Sequence, residues 1–336
     1  MPNPIGNITN KINLNRPLNV ICYSAHERFE PSLAMTGHNF YCLSGEHVKP
    51  WNTKYSPIPE NYHILKDNKL PLHLDFDLMI AHNPYVHLPL TQKLQAQLAL
   101  PILNIMHTLP NPGWNRDAFL QHKPLFDIAD KHIFISEFNR DVWGFENKEK
   151  VIHHGLDINF FKPDGNKQRK AHILTVANDY ANRDWCLGFR LYQAITQNLP
   201  TRPVGDTAGL SKPANNMIEL LNEYQTSSVF LNTSLHSPIP MSVIEAMACG
   251  CAVVSTNTAM LPDIIEHGID GFLYTPNKPE KAIGYIKDLL NNPDKAFNIG
   301  VKAREKAQNM FSLERFTNEY NEVIYDVVRN FRPYSR

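Results

Sequence analysis

The sequence predicts an α/β chain of two doubly wound, Rossmann-like units, and three observations predict it. Short apolar runs alternate with amphipathic segments, the mark of parallel strands joined by helices. The alternation comes in two series, before and after a polar stretch from Pro163 to Lys170. With 336 residues, 43% of them hydrophobic, the chain can bury a core large enough to divide between two domains. Two such units facing each other across a cleft is the simplest assembly.

The elements follow in order. Residues 1–16 are polar and Asn-rich with no apolar h-region, so they read as an extension ahead of the first unit, residues 17–162. Its candidate strands are Leu18 to Tyr23, Asn39 to Leu43, Asp77 to Ala81, Pro101 to Met106, His132 to Ile135 and Val151 to His154. The second unit, residues 163–311, offers His172 to Val176, Val229 to Asn232, Ala252 to Ser255 and Gly271 to Tyr274. Residues 312–336 form a last helix with Phe316, Tyr320, Val323, Ile324 and Val327 on one face, which must pack on the second unit or cross back to the first.

Composition removes some classes of function. Lysine plus arginine equals aspartate plus glutamate at 33 each, so no global basic field announces nucleic acid or an anionic membrane as partner. No apolar run approaches the ~20 residues needed to span a bilayer, which points to a cytoplasmic chain with at most peripheral contact at the inner membrane face. The five scattered cysteines suit reduced core thiols better than disulfides.

The richest segment runs from Ser234 to Pro276. A Pro-rich loop, Ser237 to Pro240, ends at Met241, and Val243, Ile244, Met247 and Ala248 then give a helical period that stops at Gly250. Amides at Met241, Ser242 and Val243 would sit at the positive end of that helix, an arrangement suited to a phosphate or diphosphate. Glu245, one turn in, either accepts hydrogen bonds from vicinal ribose hydroxyls or offsets the helix dipole. The residues alone leave both readings open.

The run IEAMACGCAVVSTNTAMLPDIIEHGIDGFLYTP resembles the donor-binding signature of retaining glycosyltransferases of family four, of group 1 type with the GT-B fold. Ala129 to Asp141 and Lys150 to Gly165 are similar to that family's last strand and helix of the first domain and its interdomain linker. The resemblance implies a metal-independent hexosyl- or pentosyltransferase that uses a nucleoside diphosphate-sugar, retains the anomeric configuration and needs no cofactor.

The resemblance also assigns roles. Glu245 stands where the family's second glutamate contacts ribose; eight positions earlier, where the first would contact the sugar or its phosphate, stands Ser237. Asn178 occupies the place of a diphosphate-binding arginine and Arg183 falls near that of a lysine, so Arg183 would neutralise the diphosphate alone. The backbone at Gly205, in the loop Gly205 to Pro213, is a candidate base contact. His107, at the end of the strand Pro101 to Met106, matches the histidine the family places near the transferred sugar, to orient it or to take a proton. Trp114 is a candidate sugar platform. His26, Glu27 and Arg28 replace a Gly-rich loop and are candidate acceptor contacts or simply a solvated charged loop.

Two patterns point elsewhere. Asp75-Phe76-Asp77 has the Asp-x-Asp form of a metal-diphosphate site but reads better as a solvated turn. His82, His87, His153 and His154 lack the helical spacing of a zinc site, and no metal is expected. The acceptor is a hydroxyl, with glycan or glycolipid favoured and a modified DNA base left open. A degenerate GT-B module that only binds nucleotide or glycan, and a sugar-nucleotide epimerase, are the alternatives.

Overall fold

The computed structural model describes residues 16–332, apart from 46, 47, 49, 54, 55, 72, 115 and 147. All of the expected N-terminal extension except Arg16 therefore lies outside the described residues. The chain divides into two compact units, Met1–Gly155 with Leu313–Arg336, and Leu156–Ser312. The first unit thus ends at Gly155, several residues before the polar stretch that suggested a linker.

Among the described residues of the first unit seven parallel strands pair in the order β3-β2-β1-β4-β5-β6-β7. They are β1 (Asn19–Tyr23), β2 (Asn39–Leu43), β3 (Tyr62–Ile64), β4 (Leu78–Ala81), β5 (Ile102–Met106), β6 (Lys131–Phe134) and β7 (Lys150–Val151). The central strands are buried on both faces, as parallel strands covered by helices must be, and read as continuous apolar runs. Tyr62–Ile64 escaped the sequence reading because an edge strand with two exposed residues carries no apolar run. The expected strand from Val151 to His154 is shorter and earlier. Arg315 explains why: its guanidinium donates to the carbonyls of His153 and His154, which makes them partners of the terminal helix rather than of a strand.

The Leu313–Asn330 helix belongs to this first unit and buries Phe316, Tyr320, Val323, Ile324, Val327 and Val328. At roughly 1.5–3 kcal/mol for each large apolar side chain, that face holds the helix in place. Chain and helix pass so closely that a Cβ at Gly155 would come within 2.7 Å of the Phe316 ring.

In the second unit five parallel strands pair in the order β12-β11-β10-β8-β9. They are β8 (Lys170–Val176), β9 (Thr201–Val204), β10 (Ser227–Asn232), β11 (Ala252–Thr256) and β12 (Phe272–Tyr274). Ile173, Val229, Leu231, Val254, Ile286 and Leu289 make its core with flanking helices. The five cysteines are buried and free. Among the described residues no helix is long and apolar enough to cross a membrane, and no group of His, Cys, Asp or Glu is placed to hold a metal ion. Asp77 is no solvated turn: it accepts two bonds from Arg16, at 2.8 and 3.0 Å, and a third from the Asn19 amide.

Candidate functional site

The helix after the Pro-rich loop spans Met241–Ala248, starts from Pro240 and has no side chain capping its first turn. Proline supplies an extended lead-in but cannot donate, so the positive end of the helix falls at the next residues. Of the three amides expected there, that of Val243 turns back to the Pro240 carbonyl at 3.0 Å, and its side chain is buried. Val243 is therefore not a ligand donor, and the half-buried Met241 and Ser242 remain. The helix ends where Gly250 adopts φ +74°, a left-handed turn that glycine takes without strain.

From Val243 to Ala248 every residue of this helix is buried, which carries Glu245 into the interior at 1% exposure. A buried carboxylate needs donors, and Tyr224 of the Met217–Thr226 helix supplies one: its hydroxyl donates to Glu245 Oε2 at 2.7 Å. The sequence leaves this carboxylate either to ribose hydroxyls or to the helix dipole. The structure instead shows it against a protein hydroxyl that is itself fully buried.

Below the helix two arginines take up carbonyls that its end and the neighbouring strands leave over. Arg169 donates to the carbonyls of Ser227 and Cys249, each at 2.5 Å. Arg304 donates to those of Ala248, Phe161 and Ile158. Desolvation lowers the Arg304 pKa from its ordinary value. Neither arginine nor Tyr224 was singled out from the sequence. Their signal was faint, since a cation in a polar stretch and a tyrosine in an amphipathic helix are ordinary until their partners are known.

Around β8 the loops interlock. The Asp179 amide donates to Asp206 Oδ1 at 2.5 Å and the Tyr180 amide to Thr207 Oγ1 at 2.9 Å. Gly205 has φ +148°, and any Cβ there would overlap the Ala177 carbonyl. Its own amide is already used, donating to the Lys212 carbonyl at 3.2 Å, so this glycine serves loop packing and is not a free backbone donor for a base. Asn178 is exposed beside it. Arg183 is exposed too, one residue ahead of the short Asp184–Leu187 helix. The amides of Leu235 and His236 both donate to the Cys186 carbonyl, which ties that helix to the loop carrying half-buried Ser237. The second unit thus brings Arg183, Ser237 and the start of the Met241–Ala248 helix onto connected backbone.

The remaining candidates lie in the first unit. His107 follows β5, and its Nε2 lies 3.1 Å from Nδ1 of His82. Phe29 meets its ring edge-on at 4.4 Å and His154 stacks on it at 5.9 Å. Desolvation, then the neighbouring His82 and His154, hold His107 well below the ordinary imidazole pKa, so the ring is neutral. The charged loop is not uniformly solvated. His26 is exposed and Arg28 half-buried, whereas Glu27 is 1% exposed and accepts the Asn52 amide at 3.1 Å, which makes it a loop anchor. Trp114 already has His122 stacked on it at 4.3 Å and Tyr85 at its edge, so at most one face is left for a sugar.

Comparison with known proteins bears on the second unit most directly. Residues 211–306 match the model of the family described as glycosyl transferases group 1. The chain is 29% identical over 225 residues to N-acetyl-alpha-D-glucosaminyl L-malate synthase of Bacillus anthracis, covering 62% of this chain and 56% of that protein. It is 24% identical to an uncharacterized glycosyltransferase of Haemophilus influenzae, over 68% of this chain and 72% of the other. The chain therefore spans little more than half the length of the first relative. Among solved structures, Anabaena HepE in complex with UDP-glucose superposes with a TM-score of 0.71 at 14% identity, over 92% of this chain and all (100%) of that one. Sucrose-phosphate synthase from Thermosynechococcus elongatus gives 0.70 at 16% identity, over 92% and 99%. The two parallel-sheet units have the GT-B fold of these structures, and the segment that matches the group 1 glycosyl transferases runs through the helix that carries Glu245.

Proposed function

We propose that the protein transfers a hexosyl or pentosyl group from a nucleoside diphosphate-sugar to a hydroxyl acceptor with retention of configuration and without a metal. The observation that carries this reading is the uncapped start of the Met241–Ala248 helix inside the segment that matches the family. Amides of Met241 and Ser242 and the guanidinium of Arg183 would take the diphosphate, where fixed dipoles and one permanent cation stabilise the leaving group as it departs. That electrostatic work is what a divalent ion would otherwise supply. UDP-sugars are the first donors to try, since HepE was solved with UDP-glucose.

Ser237 and Asn178 would meet the sugar and diphosphate with neutral groups. His107 would face the transferred sugar, and His26 and Arg28 the acceptor, for which a glycan or glycolipid, reached by peripheral membrane contact, is favoured over modified DNA. Glu245 holds ribose in this reading only if it leaves Tyr224, or if Tyr224 itself presents to ribose what Glu245 braces. Ser237 and Asn178, neutral where the family carries charged groups, favour a second reading, a module that binds nucleotide or glycan without turnover.

The test is diphosphate release from UDP-, GDP-, ADP- and dTDP-sugars, with and without EDTA, in wild type, Arg183→Ala and Glu245→Gln. Release from one donor, unaffected by EDTA and lost in Arg183→Ala, is the expected result. Nucleotide-dependent thermal stabilisation with no release from any donor would leave the binding module.

A further inference from the structure

Three polar side chains of the first unit run inward from the end of β5. His107 Nε2 lies 3.1 Å from His82 Nδ1. His82, just after β4, is buried, and its Nε2 has no hydrogen-bond partner but stands 3.7 Å from Glu30 Oε1. Glu30, at the head of the Glu30–Ala34 helix, is fully buried; Oε1 accepts the Ala25 amide at 2.8 Å and Oε2 has no partner. His82 Nε2 thus faces the oxygen that the Ala25 amide already holds, while Oε2 of the same carboxyl lacks a hydrogen-bond partner; buried unpartnered polar atoms are unusual, because each forfeits its solvation without compensation. A shift of about 0.7 Å in the Glu30 carboxyl would bring the pair to hydrogen-bond length.

We propose that Glu30 and His82 form a relay that sets the tautomer of His107 and keeps its Nδ1 a proton donor toward the transferred sugar. The inference rests on the reading above that His107 faces that sugar. When Glu30 carries its proton, it donates to His82 Nε2. The His82 proton must then sit on Nδ1 and donate to His107 Nε2, which leaves the His107 proton on Nδ1. When Glu30 is ionised, His82 Nε2–H turns to the carboxylate, His82 Nδ1 accepts from His107 Nε2–H, and His107 Nδ1 is bare. The two states differ by one proton. It leaves from His107 Nδ1 as one proton moves from His82 to His107 and another from Glu30 to His82, with both rings neutral before and after.

The surroundings favour the first state. Cys22, Cys42 and Tyr320 face the carboxyl; the Ala25 and His26 amides and the Tyr62 hydroxyl favour its ionised form without outweighing burial; and His26, His87 and His154 face the rings, with Arg315 beside His154. Burial pushes Glu30 up to about 8 and holds His82 well below its ordinary value. At neutral pH the carboxyl therefore keeps its proton and the rings stay uncharged. Glutamine at position 30 cannot ionise, so a carboxamide turned with its nitrogen toward His82 holds the protonated pattern at every pH.

Two measurements test this. Ring-nitrogen correlation spectra of 15N-histidine-labelled protein, assigned with single histidine variants, should show Nδ1–H on both His82 and His107 at pH 7. The wild type should pass to Nε2–H as pH rises through about 8, and Glu30→Gln should stay in the first tautomer to pH 9.5. In the diphosphate-release assay with UDP-glucose, or whichever donor of the panel is active, kcat of the wild type should fall about tenfold from pH 7 to pH 9, with KM little changed. In Glu30→Gln the ratio between the two pH values should stay within about threefold. Rings that keep one tautomer throughout in the wild type, rings that switch independently, or an equal fall in Glu30→Gln would overturn the relay. Absence of release from every donor would count against the proposed function alone, because the tautomers are read without turnover.

Discussion

The Tyr224 hydroxyl donates to Glu245 Oε2 at 2.7 Å, and neither side chain reaches solvent. The bond joins the helix that opens the family's segment to the helix on which the diphosphate site is proposed. Tyr224→Phe keeps the ring and removes one donor from a buried carboxylate, a loss of about 1–3 kcal/mol. Denaturant unfolding should show that drop. A change below a few tenths would mean that other donors already satisfy Glu245.

Arg304 tests whether shape or only charge matters beneath the site. Its fork reaches three carbonyls, those of Ala248, Phe161 and Ile158, and a lysine's single ammonium cannot reproduce that geometry. Arg304→Lys should cost about 1–3 kcal/mol in unfolding free energy. Full stability in the lysine variant would show that the cation alone suffices.

Gly205→Ala should be among the more damaging single-methyl changes in the chain. Its Cβ would overlap the Ala177 carbonyl and φ +148° is hostile to any side chain, so the loops around β8 must part. A loss of about 2–4 kcal/mol is expected, and diphosphate release should weaken as Arg183 is displaced with the loop. A well-folded, fully active Gly205→Ala protein would show that these loops adjust independently of the site.

Gly300 makes the same test by packing alone. A Cβ there would strike the Gly250 carbonyl, where the long Pro293–Phe311 helix crosses the turn after the Met241–Ala248 helix. Gly300→Ala should lower stability by about 1–3 kcal/mol even though alanine is the better helix former. Stabilisation would mean that the crossing is looser than it stands here.

Acid should unfold this protein early. Burial depresses His38, His87 and His132 from 6.5 to about 4 and His154 to about 3. For groups depressed in the folded state, the stability is present above 6.5 and is lost as pH falls toward those values. Glu30 acts in the opposite sense: raised from 4.5 to about 8, its contribution is full below 4.5 and is lost as pH rises through 8. Four groups outweigh one, so the thermal midpoint should fall steadily from pH 6.5 to pH 4. A flat midpoint would show that these rings take up protons without unfolding.

The sequence by itself determined the class of fold, the two series of strands and the helix that starts at Met241, because these follow from local periodicity and from a proline-rich run that suits the approach to a helix better than its interior. It also marked Glu245, Arg183 and His107 by position along the chain. Only the tertiary structure decided what those positions touch. Glu245 turned inward to Tyr224, the amides of Val243 and Gly205 were consumed by their own loops, and His107 acquired His82 and Glu30 behind it. Periodicity tells which face of an element is apolar. Which donor a buried polar atom finds depends on residues distant in the chain, so that pairing is settled only when the elements pack.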